Sequence, residues 1–192
     1  FCFGQLPHTF TQYTSENGLS QSTIMSILQD HKGLMWFATW DGLYKFDGYA
    51  FKNYKAHPGD SIGLSNNRLD NIKEDKYGYI WVQSYNHQVY RFNPRLEQFQ
   101  AIPYNNYLSL DMYVLPCGDI WIVTIQNELL HITTHPETYE LNVTDFFKSH
   151  QVPYSEKINS IFQDKRENQW ILTENGLYRL NHNGSEEKFS SY

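Results

Sequence analysis

Hydrophobic and polar residues do not alternate along residues 33–46, which read GLMWFATWDGLYKF. Strict alternation would indicate a strand with one face in water, whereas short apolar runs bounded by turn residues are typical of strands buried on both faces. The Asp-Gly pair at 41–42 is a strong signal for a tight hairpin turn. The segment therefore predicts two short antiparallel strands, near 34–39 and 42–47, in a protein that covers both sides of its sheets.

The same phrase returns three more times. ILQDHKGLMWFATWDGLYKF is followed by IKEDKYGYIWVQSYNHQVYRF, MYVLPCGDIWIVTIQNELLHI and IFQDKRENQWILTENGLYRL. The third copy has Leu115 in place of the aspartate, and the fourth has Glu167 in place of the glycine. Further strands are predicted before and after each phrase, near 24–29 and 51–55 in the first copy. Four short strands in each period of about 40–50 residues are typical of a β-propeller blade.

The sequence thus predicts an all-β fold, a β-propeller segment of about four four-stranded antiparallel blades. The blades are expected near residues 19–55, 64–102, 108–141 and 152–192. FTQY at 10–13 resembles the predicted outer strand FKNY at 51–54, and FSSY at 189–192 is a second candidate of this kind. The extra strand predicts that 10–13 is the outer strand of a ring-closing blade and that the chain is a piece of a larger propeller. A closed four-blade ring with one redundant strand is the alternative.

The repeated residues have separate physical roles. An aspartate suits the first position of a tight turn because its carboxylate accepts hydrogen bonds from backbone amides, and glycine tolerates a positive φ at the end of the turn. A tryptophan in mid-strand, where one blade faces the next, removes a large apolar surface from water. We therefore interpret the aspartates as turn caps rather than calcium ligands. The structural repeat residues are Trp36, Trp81, Trp121, Trp170, Asp30, Asp75 and Asp164.

Composition limits the function classes. The net charge is −6 over 192 residues, so no contact with nucleic acid is expected through this segment. No run approaches the roughly 20 apolar residues that span a bilayer. Two cysteines, Cys2 and Cys117, do not make a disulfide framework. FCFGQ resembles the end of a secretory signal peptide, so residues 1–9 are predicted to be a signal-peptide remnant or an N-terminal tail.

Catalytic motifs are hard to find in the sequence. It contains neither a nucleophile elbow nor a phosphate-binding loop. His131 and His135 flank a predicted strand end, and four strand residues span about 13 Å, too far for one metal ion. No catalytic residue, metal or cofactor is predicted, and the segment is not expected to be an enzyme. A propeller glycoside hydrolase or lyase is the less favoured alternative, because it would need a carboxylate pair at the central channel.

Ligand binding is expected on the face formed by the loops that enter the first strand and join the second strand to the third. Sugar recognition needs flat aromatic surface together with amides and carboxylates. The tentative ligand-binding residues are Trp40, Asp41, Tyr85, Asn86, His87, Gln126, Asn127, Glu174, Asn66, Asn67 and Arg68. The alternatives are solvated loops, with Trp40 packed on a neighbouring blade, or a face that binds a protein as an interaction scaffold.

The pattern D-x-x-G-x-x-W-x-x-T-x-x-G-L-x-x-F, preceded by G-L-S-x-x-x-I, resembles the two-component regulator propeller repeat. The residues that carry the resemblance run from Gly18 to Phe46 in the first copy. The second and fourth copies match with single losses, and the third copy is the weakest. The resemblance extends over residues 10–192.

This resemblance implies the N-terminal periplasmic sensor region of a hybrid two-component system of the Bacteroides type. Such sensors carry seven-bladed propellers, a β-sandwich domain, a membrane helix, a histidine kinase, a receiver and a DNA-binding module. They detect oligosaccharides released from polysaccharides and control transcription of the genes for their use. The implied partners are an oligosaccharide and the remaining propeller blades, or a second copy through self-association. Membrane contact and kinase activity would belong to the rest of the full-length protein.

Overall fold

A computed structural model of the protein describes residues 11–56, 63–105, 107–149, 157–181 and 185–190. The predicted signal-peptide remnant or tail at residues 1–9 therefore lies outside the described residues, as do Phe10 and residues 191–192.

The described chain forms four antiparallel sheets of four strands each, and within every sheet the strands follow one another in chain order. The strands of the first two sheets are β1 (Ile24–Gln29), β2 (Met35–Thr39), β3 (Gly42–Phe46), β4 (Phe51–Tyr54), β5 (Leu69–Glu74), β6 (Ile80–Ser84), β7 (Val89–Asn93) and β8 (Gln98–Ala101). Those of the last two are β9 (Ser109–Val114), β10 (Ile120–Thr124), β11 (Leu129–Thr134), β12 (Leu141–Asp145), β13 (Ile158–Gln163), β14 (Gln169–Thr173), β15 (Gly176–Leu180) and β16 (Glu186–Ser190). A 3-10 helix (Ser15–Asn17) precedes β1, and the short helix α1 (Phe146–Ser149) follows β12. The predicted all-β fold with four-stranded antiparallel sheets is confirmed, and each sheet is called a blade below.

Three outer strands differ from their predicted positions. β12 reaches Asp145, beyond the boundary expected at 141, and β16 begins at Glu186 rather than at residue 189. Residues 11–13 form no strand, and Tyr13 instead packs edge-on against Phe46 and Phe51 of the first blade. The ring-closing role of 10–13 stays a prediction, because no described strand pairs with residues 11–13.

The turns between the first and second strands have the predicted capping geometry. Asp30 Oδ1 accepts hydrogen bonds from the amides of Lys32 and Leu34, both at 2.9 Å. Gly33 closes the turn with φ 84°. Glu167 holds the corresponding position in the fourth blade at φ 64°, a left-handed conformation that side chains other than glycine rarely adopt.

The core lies between consecutive blades. Trp36, Ala38 and Leu43 of the first blade pack against Ile72 and Val82 of the second, and similar clusters join the second blade to the third and the third to the fourth. Every residue of β6 and β10 is buried, because the second and third blades are covered on both faces. This explains why the apolar and polar residues of these strands do not alternate.

The repeated tryptophans occupy equivalent places in their blades. Trp36, Trp81 and Trp121 are fully buried. Trp170 is half-buried and stacks on Phe189 at 6.2 Å and 26°, much as Trp36 stacks on Tyr54 at 6.1 Å and 25°. Its face of the fourth blade is covered by no sheet among the described residues.

Each indole nitrogen also has a hydrogen-bond acceptor, which the sequence reasoning missed. In the first blade Trp36 Nε1 donates to Asp30 Oδ2 at 2.8 Å. The second and fourth blades repeat this bond, with distances of 2.8 Å and 2.9 Å from tryptophan to aspartate. The same carboxylate thus caps the turn with one oxygen and holds the buried indole with the other.

Candidate functional site

The loops that join the second and third strands are shaped by a hydroxyl at the end of the second strand. Thr39 Oγ1 accepts the amide of Asp41 at 3.0 Å and donates to the carbonyl of Gly42 at 3.0 Å. Ser84 Oγ donates to the carbonyl of Gln88 at 2.9 Å in the same place of the second blade. The wider loops predicted for the second and third blades are confirmed, because residues 85–88 and 125–128 join their strands where the first blade uses only residues 40–41. His87 at φ 63° and Asn127 at φ 61° lie in these wider loops.

These loops bind the segments that enter the first strands, so the two sets of predicted residues do lie together. The amide of Gly42 donates to the carbonyl of Asn67 at 2.8 Å, and the amide of Tyr85 donates to the carbonyl of Arg68 at 2.8 Å. The amide of Ser109 donates to the carbonyl of His87 at 2.8 Å, which joins the second blade to the third.

Three predicted residues form one exposed stack, which we call the Arg68 stack (Trp40, Arg68 and Tyr85). The guanidinium carbon of Arg68 lies 4.4 Å from the Trp40 ring centroid and 5.2 Å from that of Tyr85. Trp40 is 40% exposed and Tyr85 is 56% exposed. Cation–π contacts of this kind attract a guanidinium to the face of an aromatic ring, so they hold the three side chains together. The stack bridges the first two blades and presents aromatic surface to solvent.

The predicted asparagines shape the loops beside the stack. Asn66 Oδ1 accepts the amide of Arg68 at 2.9 Å, and Asn67 Oδ1 accepts the amide of Ala56 at 2.7 Å. Asn86 Nδ2 donates to Ser65 Oγ at 3.0 Å. Amides that are already used in this way fix the loops and have fewer free groups to offer a ligand.

Asp41 is also held by protein groups. Its Oδ2 accepts a hydrogen bond from Lys55 Nζ at 2.5 Å and another from Ser20 Oγ at 3.1 Å. Burial alone would raise the pKa of Asp41, but the hydrogen bonds from Lys55 and Ser20 outweigh it, so the pKa is lowered. His87 Nδ1 lies 3.0 Å from the carbonyl oxygen of Ser109, so both side chains help to join neighbouring segments.

The remaining candidates lie on the equivalent loops of the third and fourth blades, outside the Arg68 stack. Gln126 is exposed, and the amide of Asn127 donates to the carbonyl of Thr124 at 3.0 Å. Glu174 forms a 3.9 Å ion pair with Lys157, and both side chains are largely exposed.

Two features of this face escaped the sequence reasoning. Ile125 is 47% exposed and occupies the same place in its loop as Trp40 and Tyr85, so aligning the repeats would have found it. The innermost strand of every blade also has a register shift, at 24/26, 69/71, 109/111 and 158/160. Such bulges change the direction of a side chain, but no sequence signal marks them. The extra residues are Met25, Asp70, Leu110 and Asn159.

Asp70, one of these extra residues, has a shifted pKa. Burial raises the pKa of this carboxyl, although the nearby charges of His87 and Arg68 lower it.

Within the described ranges, no group of three or more His, Cys, Asp or Glu side chains is placed to hold a metal ion. In those same ranges, no helix has the length and apolar character needed to cross a membrane.

Comparison with known proteins identifies the repeat. Residues 18–41 match the family of two component regulator propellers. A histidine kinase of Formosa agariphila is 48% identical to this chain over 56 residues, which are 29% of this chain and 4% of the kinase. The matched part is therefore a small fraction of that relative.

Solved structures show the same fold at low sequence identity. A catalytically inactive virginiamycin B lyase from Staphylococcus aureus is 17% identical with a TM-score of 0.56, covering 88% of this chain and 55% of the lyase. PorZ, a surface component of the type-IX secretion system of Porphyromonas gingivalis, is 14% identical with a TM-score of 0.54, covering 84% of this chain and 25% of PorZ. Both neighbours are β-propellers. The predicted resemblance is confirmed at residues 18–41, which match the two-component regulator propeller repeat, and the described chain folds as four four-stranded β-propeller blades.

Proposed function

We propose that this chain is an extracytoplasmic, periplasmic ligand-sensing domain of a hybrid two-component signalling receptor. Its ligands are oligosaccharides released from polysaccharides, and ligand binding controls the genes for their use. Kinase activity and membrane attachment belong to other parts of the receptor. The match to two component regulator propellers and the local identity to a histidine kinase support this assignment.

The observation that carries the proposal is the Arg68 stack. Trp40 and Tyr85 keep large exposed surfaces on either side of a guanidinium. Loop backbone contacts hold the stack, since the Tyr85 amide donates to the Arg68 carbonyl at 2.8 Å. A pre-ordered aromatic surface lowers the entropy cost of binding a flat, polar ligand. Sugars have such apolar ring faces edged with hydroxyl groups, which the surrounding loop carbonyls and Arg68 can bind.

The test is calorimetry of the 192-residue chain against a panel of oligosaccharides, with chromatography of the mixtures to detect products. We expect at least one oligosaccharide to bind without being cleaved. Trp40→Ala should weaken that binding about tenfold, the loss expected for one good contact. Tyr49→Ala is the matched control, because Tyr49 is a 95% exposed aromatic residue on the turn between β3 and β4.

Three outcomes would contradict the proposal. Cleavage of the oligosaccharide would make the chain an enzyme. Equal losses of oligosaccharide affinity in Trp40→Ala and Tyr49→Ala would show that the Arg68 stack is not part of the binding site. If no oligosaccharide of the panel binds and a protein partner binds through Trp40, the chain is an interaction scaffold instead.

A further inference from the structure

A second cleft lies among the turns of the first three blades, at the other ends of the strands from the Arg68 stack. It has a volume of about 520 Å³ and is bounded by residues 30–32, 77–79 and 93–96 together with Leu34, Trp36, Lys45 and Tyr139. That volume is within the range of sites that bind small molecules. None of the candidate binding residues predicted from the sequence lines it, so it is a separate site.

One wall of the cleft is aromatic. The Tyr139 ring meets Tyr77 at 5.9 Å and 86° between ring planes, and meets Tyr79 at 6.1 Å and 57°. Tyr139 is 44% exposed. Tyrosine rings offer an apolar face and a polar tip, which suits a ligand that has both apolar faces and hydroxyl groups.

Tyr139 is held in an unusual backbone conformation. Its φ is 58°, which a bulky residue rarely adopts. The equivalent turn residue of the second blade, Glu97 at φ 55°, reaches back to the first blade and binds Lys52 and Tyr54. Tyr139 reaches back in the same way to the second blade, but it presents an exposed ring to the cleft.

Arg91 fixes this arrangement from behind the wall. Its guanidinium lies 4.3 Å from the Tyr79 ring centroid, and its Nη2 donates to the carbonyl of Tyr139 at 2.7 Å. The side chain is 5% exposed, and its Nη1 has no hydrogen-bond partner among the described residues. A buried positive charge therefore stands behind the tyrosines.

The cleft has an excess of positive charge. Lys32, Lys45 and Arg95 line it, and none of the three forms an ion pair with another described residue. Asp30 also lines the cleft. However, its two oxygens already accept hydrogen bonds from two turn amides and an indole, so little of that carboxylate is free to pair with a lysine.

We infer that this cleft binds an acidic saccharide, one that carries carboxylate groups on a sugar ring. The aromatic wall receives the apolar faces of the rings, and the lysines and Arg95 bind the carboxylates by charge-assisted hydrogen bonds. A neutral saccharide could not form these charge-assisted hydrogen bonds and would bind more weakly. The inference rests on the proposed function only in taking a saccharide as the ligand.

The experiment is calorimetry of the 192-residue chain with trigalacturonate, using maltotriose as the neutral trisaccharide. Trigalacturonate should bind about tenfold more tightly than maltotriose, and Lys32→Gln and Lys45→Gln should each weaken it about tenfold, as for one charge-assisted bond. Raising NaCl from about 50 mM to about 500 mM should also weaken binding, because salt screens exposed charges.

Arg166→Gln is the matched control for Lys32→Gln. Both residues stand two positions after the aspartate of a first-to-second strand turn, and both backbone amides donate to that aspartate. Arg166 belongs to the fourth blade, away from the cleft, so its variant should bind trigalacturonate like the parent chain. Equal affinity for the two trisaccharides, no binding of trigalacturonate, or equal losses in Lys32→Gln and Arg166→Gln would each overturn the inference.

Trp40→Ala separates this inference from the proposed function. It should leave trigalacturonate binding unchanged, since Trp40 does not line the cleft. If Trp40→Ala abolishes binding of trigalacturonate while Lys32→Gln does not, the ligand occupies the Arg68 stack. The sensing proposal would then stand and the cleft assignment would be wrong.

Discussion

The third blade and its neighbours satisfy the same buried indole in different ways. In the second blade, Asp75 of the same sheet accepts the hydrogen bond from Trp81 Nε1 at 2.8 Å. In the third blade Leu115 replaces the aspartate, and Trp121 Nε1 donates at 2.7 Å to Gln169 Oε1 of the fourth blade. One acceptor lies within the blade, and the other lies across an interface between blades.

The replacement is supported by a small network. Gln169 Nε2 donates to Asp119 Oδ2 at 2.7 Å, which orients its oxygen toward the indole. The same Asp119 oxygen lies 2.9 Å from His131 Nε2, and the His131 ring stacks on Trp121 at 4.1 Å and 6°. A buried donor without an acceptor is costly, so losing the aspartate is tolerated only where another acceptor takes its place.

The repeats show this exchange within one chain. Gln169 directly precedes the tryptophan of its blade, and the residues in the same place of the second and third blades are Ile80 and Ile120. An aspartate in one blade therefore accompanies an isoleucine in the next, whereas Leu115 accompanies a glutamine. All four blades therefore keep an acceptor for the indole, although the acceptor is not the same residue in each.

Removing a fully buried indole should destabilise the protein most. Trp81→Ala should lower the free energy of unfolding by about 3–5 kcal/mol, as large truncations in a core do. Trp170→Ala should cost less than half of this, because Trp170 is only half-buried. Urea titrations of both variants check the order. Equal losses of unfolding free energy would mean that burial between blades does not determine how much each tryptophan stabilises the fold.

Next in size is the exchange of Asp75 for the residue of the third blade. Asp75→Leu removes two turn bonds and leaves the buried Trp81 Nε1 without its acceptor, so it should cost about 3 kcal/mol. Urea titration measures it, and Leu110→Ala serves as a control because Leu110 is 57% exposed.

The second-site change Ile120→Gln sharpens this prediction. A glutamine at 120 would copy Gln169, the acceptor between the third and fourth blades. The double variant should therefore lose less unfolding free energy than the two single variants lose together. The coupling should be about 1 kcal/mol, within the range for contacting residues. Strict additivity would show that the glutamine does not replace the carboxylate.

A smaller loss of stability is expected from a change at the interface between the third and fourth blades. Gln169→Ile removes the acceptor of Trp121 and the partner of Asp119, and it should cost about 1–3 kcal/mol. Adding Leu115→Asp should recover part of the loss by restoring an acceptor within the blade. If Leu115→Asp is equally harmful in the parent chain and in Gln169→Ile, the two positions do not exchange roles.

The sequence predicted the blades because the repeated residue types are governed by local physics. Turn caps and hairpin loops depend on a few neighbouring residues, so Asp30, Gly33 and the Asp41-Gly42 pair could be interpreted from their spacing. The contact of Gln169 with Trp121 could not, since it joins residues 48 apart. The bulges at Met25 and its counterparts follow from backbone packing and have no residue signal. In the candidate site, the residue types predicted that Trp40, Tyr85 and Arg68 contribute to binding. Only the structure shows that the Arg68 guanidinium contacts both aromatic rings.

Burial separates two aspartates that have similar partners. Asp75 and Asp164 each cap a turn with two backbone amides and accept an indole N–H. Burial raises the pKa of Asp75 despite its hydrogen bonds, the one from Trp81 being the strongest. In the more exposed turn of the fourth blade, the hydrogen bonds from Trp170 and Asn168 lower the pKa of Asp164 to about 2. Desolvation decides the sign in the first case, and hydrogen bonding decides it in the second.

The pH dependence of stability tests this last contrast, and its effect is the smallest. Because the folded pKa of Asp164 lies below its ordinary value of 3.8, the stability that its ionised form contributes is present above about pH 4 and is lost as the pH falls toward 2. Asp164→Asn removes this titration, so its urea midpoint should fall less than that of the parent chain between pH 5 and pH 2.5. For Asp75 the sign is opposite, since a raised folded pKa means that the folded state takes up its proton first. Asp75→Asn should therefore steepen the acid loss relative to the parent, and a flattening in both variants would show that burial does not reverse the sign in the second blade.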